Sequence, residues 1–204
     1  MGISVMFYLG SNDGMLSHFM SRPLGQFEAW ARYHEEKWPG IIGPEVLALI
    51  HDVRQRGIVA LQANDSVHAA CVDRMLLEYY GNFSLHVTGI LLKAVEGIVP
   101  LRHLLAVSVI LTHLSISQEI ISLWQYLSEG RPVLRDAKII PYKVDPYKSR
   151  LSYWTLAECT YLEQVLTTLV VTLPESEGKW AIDTSLRAIS KAITSQVGLI
   201  MDVS

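Results

Sequence analysis

The chain has few of the residues that announce chemistry. Only two of its 204 residues are cysteine, Cys71 and Cys159. Two cysteines cannot build the dense disulfide framework of a small secreted scaffold. Both fall on apolar faces of predicted helices, where a free thiol behaves as a small hydrophobe, so they read as reduced core residues. Charge is also scarce: 18% of residues are charged, with 20 Asp+Glu against 17 Lys+Arg and a net charge of −3. So mild a balance gives no nucleic-acid signal by itself. The most hydrophobic stretch, Leu104–Leu111, has eight residues, one of them Ser108, whereas a membrane span needs about 20. The opening MGISVMFYLGSND has no basic segment and no small-residue cleavage site, so no secretory signal is expected there. Gly2 lacks the Ser or Thr at position 6 that myristoylation favours. These absences lead to the expectation of a cytoplasmic protein with no membrane partner.

Catalytic signatures are absent as well. His34-Glu35-Glu36-Lys37-Trp38 begins like a zinc-protease helix, but the second histidine at i+4, needed to put two imidazoles on one face, is Trp38. None of the seven histidines lies three or four residues from another. Even His103 and His113, near one face of a helix, are almost three turns apart. Gly10-Ser-Asn-Asp-Gly14 lacks the lysine and helix entry of a phosphate loop and reads as a turn. There is no Gly-x-Ser-x-Gly elbow and no Cys-x-x-Cys. The expectation is no catalytic residue, no metal and no cofactor.

What the chain does have is apolar material, 50% of its residues, enough to bury a sizeable core. Residues 2–9 alternate as a strand does, with Ile3, Val5 and Phe7 on one side. Helices are predicted over 24–38, Pro44–Arg56 (opened by Gly43-Pro44, stopped by Gly57), 66–80 (closed by Gly81), 83–96, 100–113, 116–128 and 182–197. Another is opened by the capping box Thr155-Leu-Ala-Glu158. Ser115 with Gln118 suggests a further capping box. The helix at 100–113 is apolar nearly all round, which predicts a bundle centre built on Leu104, Leu105, Val107, Val109, Ile110 and Leu111. Short strands are expected at 58–61, within 137–140 and 150–154, and at 199–203. The predicted fold is a single domain over 1–204, mostly α and of the α+β class, without the strand–helix rhythm of a parallel sheet.

Charge is unevenly distributed. Residues 1–130 carry 12 acids and 8 bases, residues 131–150 six bases and two acids, and residues 151–204 six acids and three bases. The basic stretch is interleaved with Tyr142, Tyr147, Tyr153 and Trp154, a composition shared by nucleic-acid surfaces and protein hot spots. Towards the N-terminus Glu28, Glu35, Glu36 and Glu45 stand near Trp30, Tyr33 and Trp38, an acidic and aromatic combination able to steer a cationic partner. The candidate partner-binding residues are therefore Glu28, Glu35, Glu36 and Trp38 on one side, and Lys143, Tyr147 and Arg150 on the other.

Trp124-Gln-Tyr-Leu-Ser-Glu-Gly-Arg-Pro132, a proline-rich link, and Leu151-Ser-Tyr-Trp-Thr-Leu-Ala-Glu158 opening a long helix resemble small bacterial proteins of the domain-of-unknown-function type. Some of those look like immunity partners encoded beside toxins. The resemblance covers roughly residues 120–175 and carries over no catalytic residue. It implies a protein-binding module that neutralises a cognate toxin by covering its active site. The alternatives from other classes are a small enzyme with a non-contiguous site, which a polar pocket of perturbed titratable groups would mark, and a nucleic-acid binder using 131–154.

Overall fold

In a computed structural model the described residues are 4–62, 66–83, 95, 97–131 and 150–203. They sort into two compact units. Among them the chain is mostly helical with one small sheet, the mostly α, α+β class that the pattern predicts.

The first unit holds β1 (Ser4–Leu9), and a second holds α1 (Asn12–Met20), α2 (Leu24–Lys37), α3 (Pro44–Arg56), a 3-10 turn (Gly57–Leu61), α4 (Ser66–Leu77) and a π-helical turn (Glu78–Phe83). The chain then returns to the first unit with β2 (Val99–Pro100), α5 (Leu101–His113), α6 (Gln118–Glu129), β3 (Arg150–Trp154), α7 (Leu156–Thr172), α8 (Glu177–Thr194) and β4 (Leu199–Val203).

In the first unit the strands form an antiparallel sheet in the order β2-β1-β4-β3. Val5 pairs with Val203, Phe7 with Met201 and Leu9 with Leu199, while Trp154 pairs with Leu199 from the other side of β4. Because side chains alternate across a strand, Val5, Phe7, Trp154, Leu199, Met201 and Val203 share one face. That face joins Leu104, Val107 and Leu111 of α5, Ile120, Leu123 and Trp124 of α6, Leu162 and Leu166 of α7, and Ile182 and Ile189 of α8 in one core. Both buried indoles are satisfied: Trp124 Nε1 donates to the Leu104 carbonyl at 3.0 Å and Trp154 Nε1 to that of Leu123 at 2.9 Å. The expected bundle centre is therefore half right. Leu104, Val107 and Leu111 are fully buried, but Leu105 and Val109, on the opposite side of α5, are exposed and Ile110 is half-buried.

The capping box forms as the sequence predicts. The Glu158 N–H donates to Thr155 Oγ1 at 3.3 Å and the Thr155 N–H to Glu158 Oε2 at 2.8 Å. Arg131 donates to both oxygens of the same carboxylate, at 2.9 and 2.8 Å, with its guanidinium 4.7 Å from the Tyr126 ring centroid and 4.2 Å from that of Tyr153. Arg131, counted above in the basic stretch, thus closes α6 onto β3 and α7. Thr155→Ala removes one cap acceptor and is expected to cost about 1 kcal/mol. Urea denaturation checks this, and an unchanged midpoint would refute the cap.

Several boundaries differ from expectation. The Gly10–Gly14 turn is shorter than predicted: α1 starts at Asn12 with Asp13 in its first turn, where the helix dipole favours an acid, and buries Met15, Leu16 and Phe19. Residues 58–61 form part of a 3-10 turn, with Ala60 and Leu61 buried and Ile58 and Val59 exposed. Gly81 does not close a helix, since the chain widens into a π turn that buries Tyr79, Tyr80 and Phe83 together. Ser115 is not a cap. It adopts φ +53°, and Ser117, two residues later, accepts from the Ile120 N–H. The last helix starts at Glu177, capped by Ser176, rather than near 182. The predicted helix 83–96, apart from Phe83 and Val95, and the predicted strand at 137–140 lie outside the described residues. The strands at 150–154 and 199–203 are as predicted.

Candidate functional site

The second unit is built around an aromatic core. The Phe19, Phe27 and Phe83 rings surround Tyr79, with centroids 4.9, 5.1 and 5.5 Å from it. This core takes the inner face of α2, where Leu24, Phe27 and Ala31 are buried. Glu28 is buried with them, at 5% exposure. A buried carboxylate is costly unless it is paired, and three cationic or polar side chains meet it. Arg32, one turn on, donates to Oε1 from Nε at 3.1 Å and Nη2 at 2.7 Å. From α3, Arg54 Nη1 donates to Oε2 at 3.1 Å and His51 Nδ1 lies 3.1 Å from Oε1. The Arg32 hydrogen bond is the largest cause that holds the Glu28 carboxyl down, at about 2, and the Arg54 and His51 bonds add to it against the opposing effect of burial.

That depressed value carries a pH prediction. With a folded pKa of about 2 and an ordinary value of 4.5, the unfolded chain takes up the Glu28 proton first as pH falls. Stability is therefore fully present above 4.5 and lost as pH drops from 4.5 towards 2. In Glu28→Gln the thermal midpoint should fall less steeply across that window than in wild type. Acid limbs of equal slope in the two proteins would contradict the pairing.

Glu35 is engaged too. Its Oε1 accepts from the Gly40 N–H at 2.7 Å, and its Oε2 from those of Ile42 and Gly43 at 2.9 and 3.0 Å. These are the residues that lead into α3, and Gly43, at φ +91°, is its N-cap with no side chain to offer. The carboxylate supplies what the glycine cannot. The Gly43 and Gly40 bonds lead in holding the Glu35 pKa below the usual range. Arg74 of α4 closes the other side, its Nη2 donating to the Ile41 carbonyl at 2.7 Å.

Outside this frame stands an exposed aromatic group. Tyr33 is 55% exposed, Trp38 46% and Ile41 48%. Trp38 is held by its N–H to the His34 carbonyl, and the Lys37 ammonium sits 4.4 Å from its ring centroid and 5.7 Å from that of Tyr33. His34 Nδ1 donates to the Trp30 carbonyl at 2.9 Å, which fixes its ring over that of Trp30. Glu36 is exposed on the same helix.

Of the predicted partner-binding residues, then, Glu36 and Trp38 stand on an open surface, whereas Glu28 is buried and the half-buried Glu35 is engaged by the loop that follows α2. Lys143 and Tyr147 lie outside the described residues, and Arg150 is described only by its backbone, as the first residue of β3. Sequence reasoning passed over Arg32, His51, Arg54 and Ile41. The i, i+4 spacing of Glu28 and Arg32 was a readable signal, but the α3 contribution comes from 23 and 26 residues away.

Both cysteines are free. Burial pushes the Cys159 thiol up to about 12 and the half-buried Cys71 thiol up to about 11, the reverse of what a nucleophile needs. Among the described residues no three His, Cys, Asp or Glu side chains gather as a metal would require, and no helix is long and apolar enough to cross a membrane. Comparison with protein-family models, curated proteins and solved structures finds no match.

Proposed function

We propose that this chain is a protein-binding module that docks its partner through the outward face of α2 and the loop that follows it, and that it acts as an immunity protein covering the active site of a cognate toxin. The observation that supports the docking surface is the exposed Tyr33–Trp38–Ile41 group, fixed in place beside Lys37. Tyrosine and tryptophan dominate binding hot spots because they bring a large contact area. Here the ordering cost of binding is reduced in advance, since Glu35 and Arg74 already clamp the loop. The toxin-neutralising role rests on the resemblance of residues 120–175 to small bacterial proteins that look like immunity partners.

The test is co-expression with the product of the adjacent gene, purification of any complex, and a toxicity assay. Trp38→Ala should leave the fold intact, because the side chain is half in solvent, and weaken the complex about 30-fold, equivalent to ~2 kcal/mol. A non-toxic neighbour that forms no complex would sink the immunity reading, and a complex indifferent to Trp38→Ala and Tyr33→Ala would move the docking surface elsewhere.

A further inference from the structure

Of the three acids that make α2 look acidic in sequence, Glu36 is exposed, whereas Glu28 and Glu35 are engaged within the fold. Glu28 is buried beneath Arg32, His51 and Arg54, whose side chains are each just over half exposed. Two guanidiniums and an imidazole therefore surround a single carboxylate, which leaves the cluster at least one positive charge in excess. Their remaining nitrogens, Arg32 Nη1, Arg54 Nε and Nη2 and His51 Nε2, have no protein partner among the described residues. The neighbouring Asp52 is paired with both Nε and Nη2 of Arg56, although its charge also reaches His51, and the exposed Glu36 stands one turn beyond Arg32. The cluster is also held in shape: Arg54 lies over the first turn of α2, where a Cβ on Gly25 would stand 3.6 Å from its Cζ. Arg32 and Tyr33 are consecutive exposed residues of α2, and Lys37, one turn on from Tyr33, carries the positive charge that lies against the Tyr33 and Trp38 rings.

We propose that the segment docked here is acidic, its Asp or Glu side chains received by Arg32, His51 and Arg54 while Tyr33 and Trp38 pack against it. This rests on the reading of α2 as the docking face and reverses the polarity that sequence composition suggests. Guanidinium suits the role because its planar fork matches a carboxylate with two parallel hydrogen bonds, and Glu28 occupies only part of each fork. Fixing the cations from below pre-organises them for a ligand from above.

The experiment uses the full chain and four probes: a short polyglutamate peptide, a polylysine peptide of equal length, inorganic phosphate and a single-stranded oligonucleotide. Binding is followed by the NMR signals of the arginine side chains and the Trp38 indole over a range of salt concentrations. Polyglutamate should bind, shift the Arg32, Arg54 and Trp38 signals together, and weaken as salt rises. Arg32→Gln with Arg54→Gln should weaken it at least about 10-fold. Because that variant leaves Glu28 without its guanidiniums and so endangers the fold, Glu28→Gln supplies the opposite sign: it removes the competing negative charge, keeps only one acceptor oxygen for the two guanidiniums, and should tighten polyglutamate binding several-fold despite a lower melting temperature. Preference for polylysine or the oligonucleotide, a response to phosphate alone, or no binding by the folded wild-type chain would each overturn the proposal. A neighbouring-gene complex that needs Trp38 but is unchanged by Arg32→Gln with Arg54→Gln and by Glu28→Gln would leave the docking face standing and remove only its acidic ligand.

Discussion

Gly198→Ala should prevent stable folding of the first unit, at a cost of at least about 3 kcal/mol, while Gly178→Ala should be close to neutral. Gly198 precedes β4 where the ends of β1 and β3 meet it. A Cβ there would stand 2.3 Å from the Trp154 carbonyl oxygen, 3.2 Å from that of Gly10 and 3.3 Å from Thr155 Cα. All three atoms are backbone. They are tied by the Gly10 N–H to Gly198 carbonyl bond and by the Leu9–Leu199–Trp154 register, so relief requires the sheet to part at this end. At Gly178 the tight contact is Ile110 Cδ1 at 2.8 Å, and the next is Val107 Cγ2 at 3.7 Å. Cδ1 is the far end of a half-buried flexible side chain and can rotate away. Gly178 also lies in the first turn of α8, so alanine recovers part of the roughly 1 kcal/mol that glycine costs a helix. Urea midpoints of the two variants decide the matter. Similar losses in both would mean that the Gly198 contacts are softer than the backbone geometry implies.

The same two glycines mark how far local sequence reasoning reaches. Gly178 reads as a loop residue after Pro174, yet it lies in the first turn of α8, because the Ser176 side chain accepts from the Lys179 N–H and so caps the helix before it. Where punctuation and packing agree, boundaries are legible. Gly43-Pro44 and Gly57 bound α3 at the residues expected, Thr155 and Glu158 form the predicted box, and the strands 150–154 and 199–203 follow their apolar patterns. Where a polar residue has two possible uses they are not. Asn12 and Asp13 serve a turn as well as a helix start, and only the burial of Met15, Leu16 and Phe19 decides for the helix.

The candidate site divides along the same line. The aromatic content of α2 follows from composition and Trp38 stands at the helix end that the sequence predicts, but composition does not tell an exposed tryptophan from a core one, and it is the structure that puts Trp38 half in solvent. The engagement of Glu28 and Glu35 does not. One carboxylate is buried because α3 brings His51 and Arg54 to it, and the other turns to a loop whose glycines offer unsatisfied N–H groups. Counting charges along a chain leaves both acids free for a partner, whereas folding buries Glu28 and commits the half-buried Glu35 to backbone N–H groups of the loop.

Leu104→Ala should destabilise the protein by about 2–5 kcal/mol, and Leu105→Ala by less than about 1 kcal/mol. The two residues are adjacent and chemically identical, and by sequence both belong to a helix without a polar face. The structure separates them by about 100° around α5. Leu104 is fully buried, with Val107 and Leu111 following it at i+3 and i+7, and its carbonyl receives the Trp124 indole N–H at 3.0 Å. Truncation there leaves a cavity lined by groups that the sheet and three other helices hold in place, so collapse is poor and the cost lies high in the range. Leu105 is 48% exposed and points with Val109 to the far side, where truncation removes partly hydrated methyls and opens no void. Leu105→Lys extends the test: a lysine can lay its stem along the helix and keep its ammonium in water, so folding should survive it, while Leu104→Lys should abolish folding by burying a charge. Equal losses for Leu104→Ala and Leu105→Ala in chemical denaturation would show that the outer side of α5 is covered in solution, and the division of this helix into an inner and an outer face would then be wrong.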